Sequence, residues 1–441
     1  MAIGFDKNYH GAADGRYLSI ERVWLLGLIC LYIVLSCVSL ACVAHIYPEF
    51  RIFFFSSRLA TAVAVIAAFF PVALLFVIAE FSFGYFVGFY LFTMVLGYLW
   101  LNVFSESIYN HKLSGLSAAM SAVAFLIPAL FIRSPLPRIW TLSPKAFDRL
   151  LDGMLLIGTV TAAIGATYNF RLVSIGQIYD YREALYSPTA LNYLTGVTTG
   201  ALLPFAFACF VERKNSWRAA AALFLLLLFY PITLSKIALL SSAWLIVMTL
   251  LSRIFDLRAS VVISLLAPLA LGLLLFLLFE LGVPYGATIP YFGLVNFRMI
   301  AIPSLAMDYY NDFFFRNDLT YFCQIRLLKP FVACPYEDQI AVVIYKAFGI
   351  GGNFNASLFA TEGIASVGTM FAPVAVLVGG LIVALGNRAS ASLPPRLVLA
   401  SSAVLVQLLV NVPFTTVLLT HGAVILFLLW YVMPRTFLAS T

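Results

Sequence analysis

Charge is what this sequence has least of. Only 10% of its 441 residues are Asp, Glu, Lys or Arg, against 63% hydrophobic, a ratio that excludes an ordinary soluble globule. The four histidines, His10, His45, His111 and His421, lie far apart. No His/Cys set has metal-ligand spacing, and no paired aspartates are placed to hold a divalent ion beside phosphates. Neither a metal nor a cofactor is therefore expected. Gly349-Ile350-Gly351-Gly352 lacks the Lys and Ser/Thr that complete a phosphate-binding loop, which removes nucleotide-driven chemistry. No cleavable signal peptide is expected, because residues 1–22 are polar and the apolar run after them is long enough to span. The net charge of +7 is no sign of nucleic acid. The Lys and Arg residues fall mostly in short segments between apolar runs, where they set orientation.

What is present is apolar helix. A hydrocarbon core about 30 Å thick takes roughly 20 apolar residues per helical crossing. Twelve windows qualify: 23–47, 60–79, 83–104, 115–132, 150–166, 191–211, 219–233, 237–251, 259–282, 369–386, 397–412 and 417–434. The expected fold is all-α, a polytopic transmembrane helical bundle forming a single integral membrane domain over residues 1–441. A barrel would give a much weaker hydropathy signal. With the N-terminus in the cytoplasm, the inner segments carry 15 of the 26 Lys and Arg residues, four of them (Arg133, Arg138, Lys145, Arg149) in one segment. This bias places the one long polar excursion, residues 283–368 between spans nine and ten, on the outer face. Three shorter outer segments, 167–190, 232–236 and 413–421, open beside it.

Several residues on that face carry chemistry. Lys236, at a span boundary, either snorkels to headgroups or supplies a point charge to a phosphate at bilayer depth. Arg298 stands in a stretch nearly free of charge; it pairs with Asp308 or a headgroup, or its planar fork grips a pyrophosphate. Arg182 has the same two readings, its local partner being Glu183. The run Tyr309-Tyr310-Asn311-Asp312-Phe313-Phe314-Phe315 mixes aromatics with an acid. It suits an interfacial helix lying on the membrane from Ile302 to Asn311, or stacking against sugar rings. Cys323 and Cys334, eleven positions apart in an oxidising compartment, are expected to form a structural disulfide. Cys30, Cys37, Cys42 and Cys209 lie inside apolar spans and read as packing residues.

The stretch Gly352-Asn353-Phe354-Asn355-Ala356-Ser357-Leu358-Phe359-Ala360-Thr361-Glu362-Gly363 resembles bacterial oligosaccharide repeat-unit polymerases, the O-antigen polymerases of the Wzy type. That family tends to show an Asn-x-Asn segment, an aromatic, an acid and then a glycine as the next membrane helix begins. Three further patches are similar to it and fall in the right order: Tyr179-Asp180-Tyr181-Arg182, Ser235-Lys236, and Arg298 followed by the Tyr309–Phe314 run. The two loop cysteines depart from the pattern.

The resemblance implies a glycosyltransferase of the bacterial inner membrane with its active site facing the periplasm. Its substrates are polyprenyl-pyrophosphate-linked oligosaccharides, and a chain-length regulator protein and membrane lipid are further partners. Charge on the leaving pyrophosphate must meet cations, and the acceptor hydroxyl needs a base. Arg182, Lys236 and Arg298 are the expected pyrophosphate-binding residues. Glu362 is the first candidate base, ahead of Asp180, Asp312 and His421, and Tyr179, Tyr310, Asn353 and Asn355 are expected to touch substrate. Blander roles stand beside these: Glu362 pairing a cation such as Arg298, and His421 bonding a backbone carbonyl at a helix start. A lipid-linked glycan ligase and a flippase for lipid-linked sugars are the rival functions. The flippase is disfavoured because the spans themselves hold almost no charge.

Overall fold

The computed structural model describes residues 10–174, 178, 181, 185–325, 328, 330–349 and 360–434, with side chains from Ile20 onward. Among the described residues every regular element is helical, the all-α architecture that the composition demands. In chain order these are α1 (His10–Ile46), α2 (Leu59–Phe69), α3 (Pro71–Ile78), α4 (Phe83–Phe104), α5 (His111–Phe131) and α6 (Pro144–Tyr168). There follow α7 (Thr189–Glu212), α8 (Ser216–Thr233), α9 (Lys236–Ile254), α10 (Leu257–Glu280), α11 (Tyr285–Arg316) and α12 (Ile340–Phe348). The last are α13 (Ala360–Ser390), α14 (Pro395–Asn411), α15 (Phe414–Leu419) and α16 (Ala423–Val432).

Eleven helical stretches are long and apolar enough to cross a membrane, and α14 and α16 are shorter apolar helices. Ten of the eleven, with those two, coincide with the twelve windows expected from hydropathy. Successive crossings alternate direction, so their connections sort onto two faces. One face is cationic: Arg133 pairs with Glu80 at 2.7 Å, Arg218 with Asp152 at 3.1 Å and Arg258 with Asp256 at 3.2 Å. Arg138 reaches the Met433 carbonyl there, which places the end of α16 on the same side as the α5–α6 connection. The opposite face carries the described residues of the connection that follows Leu281, up to Gly349, and is called the insertion face below.

The eleventh stretch, α11, opens the segment that hydropathy leaves as loop. Its length suits a crossing, but its partners put both ends on the insertion face. Tyr285 packs edge-on against Phe279 at the end of α10. Near the other end, the Tyr309 hydroxyl donates to the Phe50 carbonyl between α1 and α2 (2.7 Å). In between, Asn296 donates to the Leu269 carbonyl in the middle of α10 (3.1 Å) and to Ser39 of α1 (2.9 Å). The helix therefore dips to mid-bundle and returns. Ile302 through Phe314 are all buried, so the surface helix expected over 302–311 is instead inside the protein. Glycine notches admit it. A Cβ on Gly272 of α10 would lie 1.7 Å from Asn296 Oδ1, and one on Gly97 of α4 would lie 2.2 Å from Ser304 Oγ. Small residues that let backbones close in are the usual device of membrane helix packing.

Two stretches wind more loosely, as π-helix: Thr198–Leu202 within α7 and Gly293–Ala301 within α11. Each runs up to a proline, Pro204 or Pro303. A proline ring crowds the carbonyl four residues back and offers it no N–H, and a widened turn relieves both problems. In α13, Gly368 leaves helical geometry altogether at φ +77° and ψ 167°, a conformation open essentially to glycine alone. The chain folds back there, so that a Cβ on Gly363 would lie 3.2 Å from the Ala372 carbonyl oxygen. Residues 360–367 thus form a short buried arm ahead of the span.

Candidate active site

That arm holds Glu362. The half-buried carboxylate accepts from the Phe414 backbone N–H at 3.0 Å and from Thr415 Oγ1 at 3.2 Å. It thereby serves the orphan donors at the start of α15, where Pro413 cannot cap. A carboxylate offers about four lone-pair positions, so two donors leave it room to accept again. Glu362 forms no ion pair with Arg298, and its contacts are these helix-start groups. Tyr310 lies on the buried stretch of α11 that packs against α13, the helix carrying Glu362.

The arm is fastened from outside. The Thr320 and Tyr321 backbone N–H groups donate to the Ala365 and Ser366 carbonyls at 2.8 and 3.1 Å, satisfying the carbonyls stranded by the break at Gly368. Thr320 Oγ1 and Ser366 Oγ stand 3.1 Å apart. The turn that does this runs through Tyr321 and Phe322, both at positive φ (47° and 60°). It is tied by the expected disulfide between Cys323 and Cys334, whose Cα atoms are 5.2 Å apart. The staple holds the turn that caps the arm carrying Glu362.

His421 follows α15 and packs on the glycine face of α7. Its Nδ1 lies 3.4 Å from where a Cβ on Gly196 would stand, and its carbonyl oxygen 2.5 Å from the same point on Gly200. Glu362 and His421 thus flank one short helix. Lys236 is the first residue of α9, displayed on the insertion face by a turn in which Leu234 is left-handed (φ 45°). That turn is pinned to the 169–174 segment by the Arg171 N–H on the Pro231 carbonyl (2.9 Å). Arg298 lies in the π-helical part of α11, half-buried and close to mid-bundle depth. It makes no ion pair with Asp308. From Arg298 to Tyr310 is twelve residues, roughly 18 Å along a helix. Arg298 and Glu362 accordingly sit apart, one near the middle of α11 and the other beside its far end. Asp312 is buried and ion-paired to Arg316, four residues on, which weakens it as a base. Tyr179, Asp180, Arg182, Asn353 and Asn355 lie outside the described residues.

A polar cluster around Asp308 lies outside the set of residues expected from sequence. Its buried carboxylate accepts from Ser105 Oγ and Ser107 Oγ, each at 3.1 Å, and from the Tyr109 hydroxyl. Asn102 Oδ1 stands 3.0 Å from the Tyr109 hydroxyl and 2.9 Å from His111 Nδ1. One turn further, Asn311 donates to the Tyr98 hydroxyl (3.1 Å) and accepts from Thr369 Oγ1 (2.8 Å). The cluster so runs from the α4–α5 connection to the residue after Gly368. Hydroxyls spaced two apart at Ser105, Ser107 and Tyr109 beside an Asn and a His were the only signal in the sequence. No family model, curated protein or solved structure matches the chain.

Proposed function

We propose that this protein is an inner-membrane glycosyltransferase that polymerises polyprenyl-pyrophosphate-linked repeat units into a surface polysaccharide, with the insertion face in the periplasm. The observation that carries the reading is the grouping of Glu362, Tyr310 and the Lys236 turn on one face of a bundle whose other face is cationic. The cationic face agrees with a cytoplasmic orientation for that side.

In this reading the acceptor hydroxyl gives its proton to Glu362 as its oxygen bonds to C1 of the donor sugar. The C1–oxygen bond to the pyrophosphate breaks, and polyprenyl pyrophosphate leaves with the electron pair. Lys236 meets the charge that develops, and Arg182 and the deeper-lying Arg298 are the other cations of the family pattern. A half-buried arginine among apolar neighbours acts strongly on an anion because little water screens it. Asp312, paired to Arg316, holds its own helix; Asp180 and His421 are the remaining bases, and His421 packs against glycine instead of facing Glu362.

Arg298→Ala, Lys236→Ala and Glu362→Gln are each expected to abolish long polysaccharide on a ladder gel while the protein still inserts. Single repeats remain on the core, whereas loss of a ligase would leave none. A wild-type ladder in the two cation variants overturns the pyrophosphate clamp. One observation favours a flippase: α11 brings Arg298 and Asp308 into a bundle otherwise almost free of charge. Elongation of a lipid-linked repeat by the purified protein without any ion gradient decides for the polymerase, and a strict need for a gradient decides for transport.

A further inference from the structure

A cavity of about 270 Å³ opens between the insertion-face ends of α6, α7 and α8. Gly165, Leu185, Leu191 and Ile232 give it an apolar floor, and Asn169, Ser187, Asn192, Thr195 and Thr233 bring polar groups to it. Some of that polarity is already used. Asn192 accepts from Ser187 Oγ at 2.6 Å, Asn169 Nδ2 donates to the Tyr186 carbonyl at 2.7 Å, and Thr233 Oγ1 donates to the Phe229 carbonyl at 2.8 Å. What is left over is a mixed set: the Asn169 amide oxygen, a second N–H on that amide, the Thr195 hydroxyl and the lone pairs of Thr233. Donors and acceptors converge, and none of the described lining residues bears a charge.

That inventory selects the guest. An alkyl chain would leave the free groups of Asn169 and Thr195 without partners. A phosphate would need a cation in the wall, and the described lining residues supply none; Lys236 stands three residues beyond Thr233, on the next helix. A neutral polyhydroxylated ring both gives and takes hydrogen bonds and presents an apolar face, and the Tyr186 ring at the rim, 74% exposed, is available for it to stack on. The volume lies just under the roughly 300–1,000 Å³ of drug-sized pockets, which suits one ring and not a whole repeat unit. We infer that this cavity binds a single uncharged pyranose. Resting on the polymerase reading, it holds the ring that carries the pyrophosphate, with Lys236 at the phosphate. Thr195 adjoins Gly196, against which His421 packs, so the cavity shares a wall with the helix pair that Glu362 and His421 flank.

The test uses the full chain in lipid nanodiscs and ligand-observed saturation-transfer NMR, with glucose, galactose, N-acetylglucosamine and N-acetylgalactosamine as probes. Saturation transfer to at least one probe is expected. Losing one hydrogen bond in Asn169→Leu should weaken binding about fivefold, and the bulk of Thr195→Phe should end it. Tyr186→Ala, at an exposed position that leaves folding alone, should weaken it as well. No transfer with wild-type protein, or transfer unchanged in all three variants, overturns the sugar site and means a water-filled void. The ladder gel separates this from the polymerase reading. Loss of the ladder in Glu362→Gln and Lys236→Ala without sugar binding leaves the polymerase and removes the cavity. Sugar binding with intact ladders in those variants does the reverse.

Discussion

Around Asp308, three hydroxyls from a single short connection converge on one buried carboxylate. An acid so deep in an apolar bundle is tolerable only when its lone pairs are filled. Tyr109→Phe removes one donor and leaves the acid short of a partner, at a cost of about 1–3 kcal/mol. A lowered melting temperature in detergent checks this, with Tyr431→Phe, whose hydroxyl bridges the exposed Pro137 carbonyl and Ile139 N–H at the surface (3.0 Å each), as the milder comparison. The sequence allowed Asp308 to be read as a partner for Arg298, because the two are ten residues apart and opposite in charge. Its true donors lie 199 to 203 positions earlier in the chain, a distance at which no spacing rule applies. The Asp312–Arg316 pair, one helical turn apart, follows from sequence directly. Glu362 is intermediate: its place at the membrane edge was legible, and its use as a cap for α15 was not.

At the scale of elements, α11 and the arm before Gly368 set the site. Hydropathy finds helices whose sides meet lipid, which is why the twelve windows recur. It passes over α11 because Asn296, Ser304, Asp308 and Asn311 interrupt the apolar pattern. Each of those interruptions is a docking point: for Leu269 and Ser39, for the Met94 carbonyl, for the α4–α5 hydroxyls, and for Thr369. Polarity that signals water in a soluble helix here signals protein on all sides. Gly272→Val is therefore expected to push α11 out of its notch, seen as loss of the monodisperse peak on gel filtration. Gly368→Ala should cost about 1–3 kcal/mol for its backbone alone. Because the arm carries Glu362, activity should fall further than stability does, and wild-type activity in that variant would detach the arm from the chemistry.

For the whole molecule, the two faces differ enough to be tested without any assay of function. Tyr186→Cys on the insertion face is expected to react with a membrane-impermeant maleimide in intact spheroplasts. Ile139→Cys, 91% exposed on the cationic face, should react only after lysis. The opposite pattern reverses the orientation and removes the periplasmic site. The chain's own disulfide supplies a second gauge: closing an 11-residue separation is worth roughly 3 kcal/mol in the chain-entropy account. Cys334→Ser should accordingly loosen the Thr320–Tyr321 cap and lower the melting temperature. The division of Lys and Arg between the two faces was legible in the sequence, since short connections concentrate these residues. The depth of Arg298 was not, because it depends on where α11 turns back.

That return has a consequence for how the chain is made. A helix that starts and finishes on one side is silent in the alternation of crossings, so whatever is placed between residues 281 and 359 leaves the direction of α13, α14 and α16 untouched. The machinery that threads the bundle need not decide on α11 while it is emerging. It can be laid in afterwards, against α4 and α10 already standing. A deletion of 285–359 should then keep the C-terminus on its original side, as a fused reporter enzyme would read, even though every proposed contact with substrate along α11 is gone. Topology and activity are in that sense separately heritable: the excursion is free to change its specificity without putting the threading of the rest at risk.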